Sequence, residues 1–479
     1  MKISSALAVV ALLTASAAIA ETELPELGDV AESVLPQQVE RRIGESALRE
    51  LKRSPAYLDD VAISAYLEAL AARLVATSPV AGQSLELFVL RDPSINAFAM
   101  PGGFIGIHTG LLLAAESESE LAAVLAHEIA HISQRHIARM VQRQRQVGLA
   151  SIGAIALAIL AASAGGDAPH AAIAATQAGV IQTQLNFSRE FEREADRVGL
   201  GILAQAGFDV RGMPIFFDRL YRKNRLAEGQ APAYLRTHPL TLERIADVAS
   251  RVEQFAYRQV VDSAEFVQLR VKLRAELDSA ASAADRFTRM IGSDNAELVS
   301  LGHYGMALAL LRSGDLSGSA RHAAALRGAA VNSPLFAVVE PTVLARQGNH
   351  VAALKLLEPL LHRFPHDRGV TYAWIESLLG AQRPTEALRH IQTELNLRRP
   401  EAGLMRLQAL AFAMLNQRMA QHRAQADAYY LAGDVAAAVE QLELARASAD
   451  GDYYEASQVD ARLRQLRAEL AELLPAARR

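Results

Sequence analysis

Among its 479 residues the chain has no cysteine. That excludes disulfides and thiolate metal ligands, and leaves histidine and carboxylate as the side chains able to hold a metal. Aromatic residues make up only 5% of the chain, with one tryptophan. The formal net charge is −4 and no basic block occurs, so no nucleic-acid surface is indicated. What the chain does have is aliphatic: 51% of residues are hydrophobic and alanine is abundant, which favours helices around a large core. The length suggests about three domains.

The most informative stretch is His127-Glu128-Ile129-Ala130-His131. Its surroundings read as a helix. Ser117 is placed to cap it, with Glu120 three residues on, the capping-box arrangement. Leu121, Val124, Leu125, Ile129 and Ile132 follow at helical spacing. On such a helix the two histidines stand one turn apart on one face. Both imidazoles can reach one metal ion, and Glu128 beside them can handle the proton of a water. His136 falls about 140° around the helix from His131 and is expected at the surface.

A catalytic zinc site needs a third protein ligand. The richest candidate stretch is Arg189-Glu190-Phe191-Glu192-Arg193-Glu194-Ala195-Asp196. Read as a helix, it puts Glu192 and Asp196 on one face, and Glu190 and Glu194 on another. Glu192 is the expected ligand. Asp196, one turn later, can accept the free ring N–H of a ligand histidine and fix its tautomer.

These residues, with Asn96-Ala97-Phe98-Ala99-Met100-Pro101-Gly102-Gly103-Phe104-Ile105 before them and Thr237-His238-Pro239 and Arg244 after, resemble the M48 metallopeptidases over about residues 25–250. The resemblance implies a zinc endopeptidase with one ion per chain, held by His127, His131 and Glu192. It also implies that His238 and Arg244 bind substrate or the oxyanion. His238 has a second reading, as a fourth ligand in the open position that holds the enzyme latent. Spacing does not separate the two.

At the N-terminus Lys2, an apolar run and Ala18-Ile19-Ala20 before Glu21 read as a secretory signal peptide cleaved after Ala20. Between the metal-ligand stretches, residues 148–185 hold an apolar, alanine-rich run interrupted by Gly165-Gly166-Asp167. It is marginal in length for a bilayer span. A buried helical hairpin is the leading reading, and a hairpin in peripheral contact with membrane is the main alternative.

Val61, Ile63, Tyr66, Leu67, Leu70 and Leu74 give one helix an apolar face. Leu85–Leu90 reads as a strand. Residues 95–100 and 104–108 read as a hairpin around Pro101-Gly102-Gly103. An extended peptide could add to such an edge through main-chain hydrogen bonds. From about residue 263 the pattern becomes helix after helix. Gly314-Asp315, Gly348-Asn349 and Gln382-Arg383 recur with a 34-residue period and resemble tetratricopeptide repeats, blurring after Asn416. Gly433-Asp434 then precedes a helix from Val435 to Ala447, and a last helix spans about Tyr454 to Leu474.

The expected fold is mostly α. A zincin-like metalloprotease domain with a small β-sheet (21–262, after a 1–20 signal peptide) precedes a tetratricopeptide-like solenoid (263–479). Within the M48 family, this layout is similar to a periplasmic group that acts on unfolded or misassembled proteins beside the outer-membrane β-barrel assembly machinery. Members of that group can carry cysteines near the C-terminus; this chain has none, so no disulfide ties its repeats. The alternative expectation is a chaperone or scaffold for that assembly with a latent protease domain.

Overall fold

The computed structural model describes residues 34–80, 84–143, 189–226, 232–448 and 450–473. The signal-peptide reading and the apolar run at 148–185 lie outside them. Among the described residues no helix is long and apolar enough to cross a membrane.

Helix α1 (Gln37–Lys52) leads to α2 (Val61–Val75), which starts where Asp60 accepts from Ala62 N and Ile63 N, both at 3.0 Å. Strands β1 (Glu86–Leu90), β2 (Ala97–Met100) and β3 (Phe104–His108) then form one sheet in the order β1-β3-β2. β2 and β3 make the expected antiparallel hairpin, Met100 opposite Phe104, while β1 runs parallel to β3. Gly102 and Gly103 take φ of +81° and +85° in the turn, a region open to glycine and strained for most residues. β2 is left as an edge.

A short α3 (Thr109–Ala114) precedes α4 (Glu118–Ser133), the central helix. Ser117 caps it through Glu120 N at 3.3 Å, as expected. The reciprocal half of the capping box is displaced by one residue: Glu120 Oε2 accepts from Glu116 N at 2.7 Å, and Arg219 also holds this carboxylate. Every residue of α4 from Glu118 to His131 is buried. Around it lie α5 (His136–Arg143), α6 (Arg189–Gln205), α7 (Gly212–Leu226), α8 (Ala233–Thr237) and α9 (Leu242–Val252).

From Ala264 onward the chain is helix after helix to Leu473. Turns close on left-handed residues: Gly314 (φ 85°), Gly348 (81°), Gln382 (60°) and Asn416 (57°), each 34 positions after the last. The next such residue, Gly433 (87°), comes only 17 positions after Asn416, which is why the period blurs there. Asp315, Asn349 and Asp434, each following a left-handed glycine, cap the next helix with their side chains.

One apolar cluster runs from Leu58 and Ile63 through Leu121 and Leu125 to Phe266, Leu269, Tyr304, Phe336 and Val343. The core therefore passes residue 262 without a break. The later helices touch α1, α2 and the loop between them through ion pairs. Arg368 bridges Glu68 at 2.8 Å and Glu401 at 2.5 Å, Arg406 meets Asp59 at 3.0 Å, and Arg49 meets Glu469 at 3.2 Å.

Candidate metal centre

Helices α4 and α6 approach closely because Gly199 has no side chain. A Cβ there would lie 3.1 Å from the Ala126 carbonyl and from His127 Cα. That approach brings Glu192 against the two histidines. His127, His131, Glu192 and His238 each offer a donor atom, all within 4.8 Å of one another, and all four are buried. His127 Nε2 and His131 Nε2 face each other at 3.0 Å. Glu192 stands 3.6 Å from the first and 3.4 Å from the second. His238 Nδ1 lies 3.0 Å from Glu192 Oε1 and 3.4 Å from His127 Nε2.

The rear of each ring is engaged. His127 Nδ1 lies 3.0 Å from Asp196 Oδ1, and Asp196 takes two bonds from Arg244, each 2.8 Å. Asp196 thus stands at the His127 nitrogen turned away from His131. Arg244, expected at the substrate or oxyanion, instead stands behind the ligands. Its guanidinium is committed to Asp196, to Glu192 Oε2 at 2.7 Å and to the Pro239 carbonyl at 2.8 Å. It is 3% exposed in this arrangement.

Glu128 is fully buried. Its Oε2 accepts from Ala99 N of edge strand β2 at 2.9 Å, and its Oε1 lies 3.4 Å from His238 Nε2. His238 follows α8, anchored by Tyr234 N to the Ile95 carbonyl and by its own N–H to the Tyr234 carbonyl. The Tyr234 ring stacks on His238 with centroids 4.7 Å apart. Tyr234 escaped the sequence reading; its site four residues before His238 is the only signal it left.

The surface position expected for His136 is wrong. Its ring is fully buried and its Nδ1 lies 2.8 Å from His131 Nδ1. The expectation assumed an unbroken helix. α4 instead ends at Ser133, and Arg135 at φ 50° turns the chain so that His136 folds back on His131. Glu194, on the other face of α6 as expected, meets His136 Nε2 at 3.2 Å and Arg139 at 2.9 Å.

The charge state fits a cation. Burial depresses the His127 imidazole, but Asp196 and Glu192 outweigh it and push its pKa up to about 10. Burial pulls His131 down to about 3. Burial would raise the Glu192 carboxyl, but His238, Arg244 and the two ligand rings hold it well below the usual carboxylate range. Two imidazoles and a carboxylate, each ring oriented from behind, are a donor set that fits a divalent metal ion.

Beside the centre a cleft of about 570 Å³ runs along Ala99, Met100 and the Pro101–Gly103 turn to His131, and Arg399 of the solenoid reaches its rim.

Residues 62–252 match the Peptidase family M48 profile. The chain is 40% identical over 291 residues to a Vibrio cholerae protein provisionally named beta-barrel assembly-enhancing protease, 60% of each chain. It is 36% identical over 244 residues to the beta-barrel assembly-enhancing protease of Escherichia coli, 51% of this chain and 50% of that one. Over 186 residues it is 35% identical to the mitochondrial metalloendopeptidase OMA1 of Schizosaccharomyces pombe, 38% of this chain and 51% of that one. The matches thus span half to three-fifths of these curated relatives. A crystal structure of the P58(IPK) TPR domain covers 74% of this chain and 90% of its own at 14% identity, with a TM-score of 0.15 that carries no weight for the fold.

Proposed function

We propose that the M48 peptidase domain over residues 62–252 makes this chain a zinc-dependent endopeptidase. The observation that carries the reading is the buried four-donor cluster with Glu128 beside it. His127, His131 and Glu192 hold the metal. Zinc, when bound, supplies Lewis acidity that polarises the scissile carbonyl and makes water nucleophilic near neutral pH. Glu128 takes the proton of the attacking water and returns it to the leaving amine. Asp196 fixes the His127 tautomer, and Arg244 fixes Asp196 and Glu192. An extended peptide adds to the edge of β2, whose Ala99 N–H points toward Glu128.

His238 is a fourth donor that occupies the open position. Glu128 Oε2 is then held by Ala99 N, and its Oε1 stands 3.4 Å from His238 Nε2. The enzyme in this arrangement is latent, and His238 must leave before a substrate carbonyl can enter.

The substrates are unfolded or misassembled proteins, the compartment is the periplasm, and the solenoid from about residue 263 binds protein partners of the outer-membrane β-barrel assembly machinery. The names of the bacterial relatives and the expected signal peptide support this part. The test is cleavage of unfolded casein by the purified chain beside Glu128→Gln. Cleavage by the wild type, lost in the variant, supports the endopeptidase. Equal cleavage removes Glu128 as the base, and no cleavage by either, even with His238→Ala, leaves the scaffold reading. Full function of Glu128→Gln in outer-membrane assembly would favour that second reading, which the place of His238 in the donor set motivates.

A further inference from the structure

We propose that His136 and Glu194 form a relay that positions the second ligand histidine, His131, toward the metal. His131 Nδ1 and His136 Nδ1 lie 2.8 Å apart, so one must donate and the other accept. A metal on His131 Nε2 needs that nitrogen's lone pair, which leaves the ring proton on Nδ1. His131 Nδ1–H therefore donates to His136 Nδ1. The His136 proton then sits on Nε2, where Glu194 Oε2 accepts it at 3.2 Å. Arg139 donates to the same carboxylate oxygen at 2.9 Å and holds it ionised. Each choice in the chain is forced by the one before it.

The surroundings restrict His136 to this geometry. Its ring is fully buried and stacked on Phe191, centroids 4.5 Å apart at 16°. Arg139 covers Phe191 in turn, 4.8 Å from its ring. The backbone reaches this arrangement only through Arg135 in the left-handed region, an unfavourable state for a residue with a side chain. Its guanidinium donates to the Leu35 carbonyl at 2.6 Å, pinning the turn.

The centre thus has two separate supports. Asp196 and Arg244 serve His127, while His136, Glu194 and Arg139 serve His131. Helix α6 supplies a ligand from one face and a carboxylate to each support.

The proposal rests on the metal reading of the cluster, and its test reads zinc affinity rather than cleavage. Zinc binding to the purified chain is measured by competition with a chromophoric chelator, together with melting of the metal-free protein. His136→Phe keeps the stack on Phe191 and removes the acceptor. It should lose about 10–100-fold in zinc affinity, the usual range for an outer-shell partner. His136→Asn restores an acceptor near the Nδ1 position and should recover most of that loss. Glu194→Gln, at a partly exposed side chain, tests the relay without touching the buried ring, and should weaken zinc binding several-fold. Unchanged affinity in both His136→Phe and Glu194→Gln would overturn the proposal. So would an Asn variant no better than Phe, because returning the acceptor would then have restored nothing. If the wild type binds no zinc, the metal reading itself fails, an outcome distinct from failure of the relay.

Discussion

His238 Nδ1 lies 3.0 Å from Glu192 Oε1, which puts the loop histidine inside the donor set. In the proposed latent arrangement it competes with substrate for the open coordination position. Replacing it with alanine should raise casein cleavage on the order of tenfold, which corresponds to about 1.4 kcal/mol in the closed-to-open equilibrium. Zinc content measured on the same sample should stay near one per chain. A fall in cleavage with zinc retained would assign His238 to the reaction instead.

Glu128→Gln separates chemistry from binding. Glutamine keeps a carbonyl oxygen able to accept from Ala99 N, now bonded to Glu128 at 2.9 Å, but it cannot take a proton. Cleavage should drop by about 10²–10⁴-fold, the range for losing a positioned general base. Zinc binding should be unchanged, because Glu128 is not among the donors. Chelation of the wild type should abolish cleavage, and added zinc should restore it.

The parts of this site that follow a regular period were legible in the sequence. His127 and His131 at i and i+4, and Glu192 and Asp196 at i and i+4, needed only helical geometry, and both helices formed. The repeat turns were legible because glycine followed by aspartate or asparagine ends one helix and caps the next. His136 was not, because its position depends on one left-handed residue, Arg135, that no local pattern announces. Where Arg244 stands was not legible for a related reason. Resemblance put it at the site without saying on which side of the ligands it stands, and its two-point bond to Asp196 comes from 48 residues away in sequence. The docking of Arg368 on Glu68, 300 residues apart, leaves no trace in any window of the chain.

Arg244 should matter for stability before it matters for catalysis. It is buried between two carboxylates, and its removal takes the guanidinium from both. Arg244→Ala should destabilise the metal-free protein by about 3–5 kcal/mol, the cost of breaking a buried pair from one side. Arg244→Lys keeps the charge but not the fork that bonds both oxygens of Asp196, and should recover only part of that loss. Urea denaturation of the two variants decides this. A lysine variant as stable as the wild type would show that charge alone suffices.

Asp92, in the loop after β1, gives a pH dependence away from the metal ligands. Burial would raise its carboxyl, but hydrogen bonds from His108 and Ser94, with Ser94 N at 2.7 Å, hold it well below its ordinary value. A carboxyl depressed in the folded state contributes stability in full above its unfolded value of about 3.9, and loses it as pH falls toward the folded value. Asp92→Asn should therefore be less stable than the wild type at pH 7, and the gap should close as pH falls below about 4. A gap that stays constant between pH 7 and pH 3 would mean that the Asp92 charge contributes nothing.

Ending the chain at residue 262 should not yield a soluble protease. Phe266 and Leu269 lie in the same apolar cluster as Leu121 of α4, with Ile63 and Tyr66 of α2 beside them. Glu118, at the start of α4, accepts from Ser263 N at 3.1 Å and Ser263 Oγ at 2.7 Å, so the cut also removes polar partners of the metal-bearing helix. A fragment lacking Phe266, Leu269 and Tyr304 would expose a contiguous apolar face, the kind of surface that drives aggregation. A fragment extended to residue 347 keeps the cluster through Val343 and should stay soluble and bind zinc. Expression of the two lengths, with size-exclusion chromatography and zinc content as readouts, tests this. A monodisperse, zinc-loaded fragment ending at 262 would place an independent folding unit inside the shared core and refute the prediction.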